Sequence, residues 1–492
     1  MLIPRGLAVG LPWGWGMAAN PAEVCEPEIA RAILSRTGFG LGHRAGSGCG
    51  WPRPAPAAAR ALGSFLRKGG SMAQDPLHLL CIEPRFPGRL GGVADWLVRR
   101  RGYRCSFFCQ KASPREHWPG SAGRGLEVVP FGVGGVAREG SVGWRRMLER
   151  GLCYAYGCWE VIDARRPRPV DVILGRSAGL GSSLFATASL PRTPVVQFFD
   201  YYYHARKNDL TGDMGPDTPA AYYHWRRSAN AVDLLDLENG VVPWTATDWQ
   251  RGLYPVAYRD DFVVLHDGVD ARRLAPRKGR PRSIAGRAIP AGTRVVGFVS
   301  SGLDRVRGFD RFLRLVNTLQ RERADVIAVA VGDPVVARAL DVGHFGRDYR
   351  ALAMAGDPPP DPDRFWCLGF VSPGVVAEVL AACDLVVAPS RAYPAARSLV
   401  EAMASGCPIL ASDDPPIREL IRPGVDGLLA DPDDPEAWVR LAREVLGDPN
   451  GFRATLGASA AGVVRERFDR DVTLPRLASL LGDLAGVGER GG

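Results

Sequence analysis

From residue 77 to about residue 470 the chain runs twice through one pattern: short apolar runs of strand length alternate with longer segments of helical period. The first series reads LHLLCIE, VADWLVRR, YRCSFFCQ and LEVVPFGV, then a helix over residues 144–166, DVILG, a helix near 182–189, and PVVQFF. The second reads VVGFVSS, FDRFLRLVNTLQRE, VIAVAVGD, FWCLGFV and VVAEVLAAC. Runs that are apolar throughout, rather than at every second residue, suit strands buried on both faces. A helix between consecutive strands makes parallel pairing the natural outcome. The pattern predicts an α/β protein of two Rossmann-like parallel-sheet domains, with ligand loops at the carboxyl ends of the strands.

The stretch 384–412 shows the pattern at its sharpest. DLVVA is a buried strand ending at Pro389-Ser390, and Ser398 stands where a helix begins, with Leu399, Ala402 and Met403 as its apolar face. Gly406 ends that helix and PILA starts the next strand. Such a strand-loop-helix presents free N–H groups at a helix N-terminus, where an anion binds. Glu401, placed in the first helical turn by this reading, is a carboxylate suited to a pair of sugar hydroxyls beside the anion. Taken alone the stretch is also what any ordinary αβ unit looks like.

Two further loops fit the same geometry. Residues 84–92, PRFPGRLGG, follow the first strand and contain Gly91 and Gly92, either a ligand loop or a tight turn. Residues 198–217 set three tyrosines, among them Tyr203, beside His204, Arg206, Lys207 and Asp209, a combination able to stack a sugar ring and bond its hydroxyls.

The rest of the sequence sets limits. Residues 1–71, rich in Gly, Ala, Pro and Arg, read as a flexible extension or a misassigned start, with Met72 beginning the domains and a short helix over 28–36. They hold eight Lys/Arg and three Glu, so +5 of the net +9, which leaves +4 for the other 421 residues. The basic balance therefore belongs to the extension and does not point to nucleic acid. Ten cysteines without a CxxC pair or a His/Cys ligand spacing argue for a reducing compartment and no structural zinc. No carboxylate pair or DxD motif is read at a strand end in the cleft, so no metal site is expected. No run of 18 apolar residues is present.

The segment SLVEAMASGCPILASD, residues 398–413, resembles the donor-site segment of retaining glycosyltransferases of family 4, which have the GT-B fold. YPAARSLVE is similar to a subgroup with an aromatic-Pro segment before Ser-Leu-x-Glu. FFDYYYHARKNDL, the segment TDWQRGLYP and LHDGVDARRL resemble the N-terminal domain of that subgroup, and His266 to Asp270 looks like its hinge signature. The resemblance implies an acceptor-side domain at 72–270, a linker at 271–290, a nucleotide-sugar domain at 291–470 and a C-terminal helix and tail at 471–492 that crosses back to the first domain. The two domains would face a central cleft.

What the family implies chemically is metal-independent, retaining transfer of a hexose from a nucleotide diphosphate sugar to a glycan or lipid-linked acceptor. It is expected in the cytoplasm, with peripheral membrane contact for a lipid-linked acceptor and with no cofactor. Carried over residue by residue, Arg307 meets the diphosphate and Glu401 the ribose. Ser301, Arg305 and the backbone of Arg397, Ser398 and Leu399 line the phosphate, while Phe370 and Val371 lie along the base. Gly91, Gly92, Arg176, Tyr203 and His204 fall on the acceptor side. Three positions depart from the family: Tyr393 replaces the first of two glutamates, Ser301 an arginine, and Arg176 a histidine. These departures keep open a degenerate GT-B protein that binds nucleotide or glycan without turnover. An epimerase or phosphorylase on the same fold would need more acid/base groups in the cleft than the sequence supplies.

Overall fold

The computed structural model describes residues 76–110, 125–133, 143–165, 169–177, 183–204, 220–276, 279, 281, 283–334, 348–391, 394, 397–447 and 451–490. The expectations for residues 1–71, for Tyr393 and for Arg206, Lys207 and Asp209 lie outside them.

The first sheet contains β1 (His78–Ile82), β2 (Arg104–Gln110), β3 (Leu126–Phe131), β4 (Val172–Arg176), β5 (Val195–Phe198), β6 (Val242–Thr245) and β7 (Val263–Val264). They are parallel throughout, in the order β3-β2-β1-β4-β5-β6-β7. Helices α1 (Leu90–Arg101), α2 (Gly143–Arg165), α3 (Ala220–Glu238) and α4 (Asp248–Leu253) belong to this half. Successive residues of a strand point to opposite faces. Leu79 and Cys81 accordingly pack with Trp96 and Leu97 of α1, and Leu80 and Ile82 with Tyr154, Cys158 and Ile162 of α2.

The segment expected as linker carries a one-turn helix, Ala271–Leu274, and a small antiparallel hairpin of β8 (Ser283–Ile284) and β9 (Arg287–Ala288). The second sheet is again parallel, β12-β11-β10-β13-β14-β15, from β10 (Arg294–Gly302), β11 (Val326–Asp333), β12 (Phe365–Gly369), β13 (Leu385–Ala388), β14 (Ile409–Ser412) and β15 (Leu428–Ala430). Its helices include α5 (Phe309–Glu322), α6 (Pro373–Ala382), α7 (Arg397–Ala404), α8 (Pro435–Gly447) and α9 (Phe452–Val463). Phe309, Phe312 and Val316 of α5 and Trp438 and Val445 of α8 cover one face. Asp434 accepts from the amide of Ala437 at 3.0 Å and so caps α8.

Both sheets have the 3-2-1-4-5-6 strand order, so each has a switch point beside its first strand, β1/β4 in one and β10/β13 in the other. A crevice opens there at the carboxyl edge.

The last helix, α10, spans Arg470–Arg490, with Pro475 inside it. The amides of Val472 and Thr473 bond to Asp469 O and that of Arg470 to Val269 O, so the first turn forms ahead of the proline. Leu474, Leu477, Leu480, Leu481 and Leu484 pack into the core of the first sheet, and Trp96 Nε1 donates to Asp471 Oδ1 at 2.7 Å. The C-terminal segment thus completes the N-terminal domain. Gly268, with φ +74°, and Asp270, whose Oδ1 accepts from Arg273 N at 3.1 Å, form the turn against which it returns.

Behind β4 and β5 lies a buried polar cluster. The single hydroxyl proton of Ser177 faces two carboxyls, Asp233 and Asp236, the second at 3.0 Å. Gln197 Nε2 also donates to Asp236, at 3.0 Å. One hydroxyl proton cannot bond both carboxyls at once. Burial and the neighbouring Asp233 push Asp236 up to about 8, against the smaller opposing pull of Ser177 and Gln197.

Two outcomes follow from this architecture. A carboxyl raised in the fold contributes its full stability below the unfolded value near 4 and loses it as pH rises through about 8. Asp236→Asn, isosteric and neutral, should therefore raise Tm relative to wild type at about pH 8.5 and show little gain at about pH 4. Thermal melts across that range check it. Leu481→Ala, at a wholly buried position, should destabilise the N-terminal domain by about 2–5 kcal/mol, although the residue lies near the C-terminus. Denaturant unfolding read by tryptophan fluorescence measures the loss.

Candidate functional site

At the first switch point, the sequence ends β1 on Glu83, a carboxylate directly after an apolar run. Glu83 is fully buried and accepts from the amides of Arg89 and Leu90, at 2.9 and 2.7 Å. These are the first amides of α1, so the helix terminus read as a ligand loop already has a carboxylate of the protein upon it. Gly88, at φ +51°, closes the loop over that carboxylate. A Cβ there would stand 2.3 Å from Glu83 Cδ. The capped start at Leu90 also puts Gly91 and Gly92 inside α1 rather than in the loop, a correction to the sequence reading.

Arg176, at the end of β4, bridges Glu83 and Asp200: Nη1 to Glu83 at 2.5 Å, Nε and Nη2 to Asp200 at 2.7 and 2.6 Å. Burial would lower its pKa, but Asp200 and Glu83 outweigh that and raise it. Arg89 completes this side. Its guanidinium lies 4.5 Å from the centre of the Phe198 ring, 3.6 Å from Asp200 and 2.5 Å from Asp267.

Asp267 is the junction between the halves. It meets Arg89 on one side and Arg397 Nη1, at 3.3 Å, on the other. Burial pushes its carboxyl up, but Arg89, His266 and Arg397 together bring it down to about 2. His266 is lowered to about 4 by burial, which outweighs the opposing pull of Asp267. Its Nδ1 accepts from Gly268 N at 2.9 Å, which puts the proton of the neutral ring on Nε2. A second cross-domain contact is Glu419, which accepts from the amides of Asp248 and Trp249 at 2.7 and 2.9 Å.

At the second switch point the loops after β10 and β13 are bonded together. Arg391 N donates to Val306 O at 3.1 Å. Gly308, at φ +78°, passes so close to Pro389 that a Cβ would stand 2.1 Å from its carbonyl oxygen. This brings Ser301, Arg305 and Arg307 to the edge from which α7 departs. A register shift between Val299 and Gly302 puts an irregularity at Ser300-Ser301 before β10 rejoins β11 at Gly302, opposite Asp333. Arg307 donates through its guanidinium and its amide to Asp304, while Arg305 is buried.

α7 begins at Arg397, one residue before the sequence reading, so Glu401 lies in its second turn rather than its first. There Glu401 Oε1 accepts from Arg397 Nε at 3.3 Å. Ser398 is half-buried, and Leu399 is buried in the core rather than facing the edge. Its contribution to the edge is its amide. Phe370 follows β12 and is 60 % exposed, with Val371 half-buried beside it.

On the first half, Tyr203 is fixed through its backbone by Asn230, N to Oδ1 at 2.8 Å and O to Nδ2 at 2.7 Å. Its ring packs edge-on between Tyr201 and Trp225, and His204 packs on Tyr202. The sequence reading missed Glu83, Arg89, Asp200 and Asp267. The first and third each stand at or just past the end of an apolar strand run, which is the signal that could have found them. Among the described residues no group of three or more His, Cys, Asp or Glu could hold a metal ion, and no helix is long and apolar enough to cross a membrane.

Residues 101–274 match the model of the Glycosyl transferase family 4 group, and residues 293–448 that of Glycosyl transferases group 1. The chain is 28% identical over 260 residues to a D-inositol 3-phosphate glycosyltransferase of Thermobispora bispora, an alignment spanning 50% of this chain and 56% of that protein. It is 27% identical over 402 residues to D-inositol 3-phosphate glycosyltransferase 1 of Catenulispora acidiphila, 77% of this chain and 87% of that one. Sucrose-phosphate synthase from Thermosynechococcus elongatus superposes with a TM-score of 0.62 at 15% identity, over 82% of this chain and 98% of that one. Anabaena HepE in complex with UDP and glucose superposes with 0.59 at 18%, over 81% and 98%. The chain thus joins a glycosyl transferase family 4 domain to a glycosyl transferases group 1 domain, and together they form the two parallel-sheet domains of a GT-B glycosyltransferase fold.

Proposed function

We propose that the protein is a retaining hexosyltransferase, taking a hexose from a nucleotide diphosphate sugar to a glycan or lipid-linked acceptor in surface polysaccharide or glycoconjugate synthesis. The observation that carries this reading is the bonded pair of loops at the second switch point. It sets the loop bearing Arg307 against the loop that leads to the N-terminus of α7. A diphosphate at that edge meets helix amides and a guanidinium, the two groups that best stabilise its charge as it leaves. Glu401, half-buried on α7, suits the ribose hydroxyls, and the exposed ring of Phe370 suits a base. The complex of HepE with UDP and glucose supports a uridine nucleotide as the first donor to try.

The acceptor then lies toward Arg176, Tyr203 and His204. Deprotonating its hydroxyl falls to the leaving diphosphate in this reading, on the face where that group departs. Carboxylates near the cleft make poor bases here: Glu83 and Asp200 are bonded to Arg176, and Asp267 is held at about 2 by its arginines. The same pairing leaves them ill suited to hold a divalent ion on the diphosphate, so the transfer is metal-independent.

Donor binding by calorimetry, alongside turnover, tests the site. Glu401→Ala and Arg307→Ala should each cost about 1.5–3 kcal/mol, roughly ten- to a hundredfold in donor affinity or catalytic efficiency. Unchanged binding in both would put the donor elsewhere. Tight donor binding with no turnover on any acceptor of a broad panel would mark a binding protein instead, the reading that the departures at Tyr393, Ser301 and Arg176 favour. Turnover should also survive EDTA. Complete loss, restored by manganese or magnesium, would overturn metal independence.

A further inference from the structure

The helix at the donor edge opens on a cation. Arg397 occupies its first position, and no acidic residue stands in its first turn. A positive side chain there opposes the helix dipole, which favours anions at an N-terminus. Its pairing with Glu401 also runs in the less favourable order, since the acid of a good i,i+4 pair comes first. Local helix stability therefore does not explain Arg397.

Its contacts suggest what does. Nε reaches Glu401 and Nη1 reaches Asp267, both at 3.3 Å, where charge-assisted bonds are usually about 2.7–2.9 Å. Nη2 makes no hydrogen bond among the described residues. Both terminal nitrogens lie 3.9 Å from the place a Cβ on Gly92 would take, so the first turn of α1 leaves room beside the guanidinium. A third of the side chain is exposed. Arg397 is thus a half-buried guanidinium between two helix N-termini, gripped loosely by one carboxylate of the hinge and one of its own helix. That last carboxylate, Glu401, is the group assigned above to the ribose. Ser301, across the bonded loops, brings no charge.

The geometry points to Arg397 as a second diphosphate-binding cation whose place Glu401 holds until the donor binds. Donor binding exchanges the Arg397–Glu401 pair for two others, guanidinium with diphosphate and carboxylate with ribose. Asp267 keeps its hold and aims the guanidinium across the cleft. This rests on the donor-site reading and adds to it a specificity: the site rewards a ligand carrying both a diphosphate and a vicinal diol. A ligand with the diphosphate alone must separate the pair and leaves Glu401 uncompensated.

The test uses the full chain and two probes, inorganic pyrophosphate and UDP, with affinities by calorimetry. Arg397→Gln should weaken both probes about tenfold or more, and Arg397→Lys should recover part of the loss. Glu401→Gln should split the probes: UDP binds more weakly for want of its ribose partner, while pyrophosphate binds more tightly because its competitor is gone. Melting curves of each variant establish that it is folded, and the lysine variant supplies the reading if the glutamine variant does not fold. Pyrophosphate affinity unchanged in both Arg397 variants overturns the proposal, as does Glu401→Gln weakening both probes alike. If Arg307→Gln weakens both probes while the Arg397 variants do not, the donor site stands and this inference alone falls. A wild-type protein that binds neither probe removes both.

Discussion

A single buried carboxylate ties the molecule together. Asp267 lies between Arg89, at the start of α1, and Arg397, at the start of α7, so it joins the helix after β1 in one half and the helix after β13 in the other to the hinge between them. A carboxylate without solvent is costly unless paired, and removing one partner of such a pair strands the other. Here the cost is spread over two guanidinium groups, and the carboxyl is held at about 2. The arrangement adds little net stability by the general behaviour of buried ion pairs. What it provides is position: two arginines from different domains are fixed at one point of the cleft.

The same logic extends outward from Arg89. Glu83 caps the helix that Arg89 begins, Arg176 links Glu83 to Asp200, and Asp200 lies beside Arg89 again. The first-domain side is therefore internally charge-paired, with its helix N-terminus filled by a protein carboxylate. The second-domain side differs. Among the described residues its helix carries an arginine and no acid in its first turn, and its loops are joined by backbone contacts at Val306 and Pro389. Two domains of one topology thus set a carboxylate at one helix N-terminus and an arginine at the other.

The hinge matters as much as the charges. The chain leaves the first domain at His266–Asp270, builds the second, and returns through Phe468 and Arg470 to the same turn, where Val269 bonds to both. α10 then buries five leucines in the first core. The crossing points of the chain, outgoing and returning, lie side by side next to Asp267. Motion between the halves would concentrate at this turn, and the Arg397–Asp267 contact spans it.

The sequence by itself determined most of the fold. Runs such as VVGFVSS and VIAVAVGD could only be doubly buried strands, and the helices between them imposed parallel order, because periodicity and burial are local properties. The same locality made the α7 segment and its glycine stop at Gly406 legible. Local signals were also where a small error arose: α7 begins at Arg397, one residue earlier than the pattern suggests. Only the tertiary structure decided what Gly91 and Gly92 are, because their loop was claimed by Glu83, and why Arg176 stands where it does, because Asp200 and Glu83 converge on it. It alone brought Asp267 to Arg397, 130 residues further along the chain. The charge on a residue is written in the sequence, but its partner is chosen by the fold, and a cleft is made of partners.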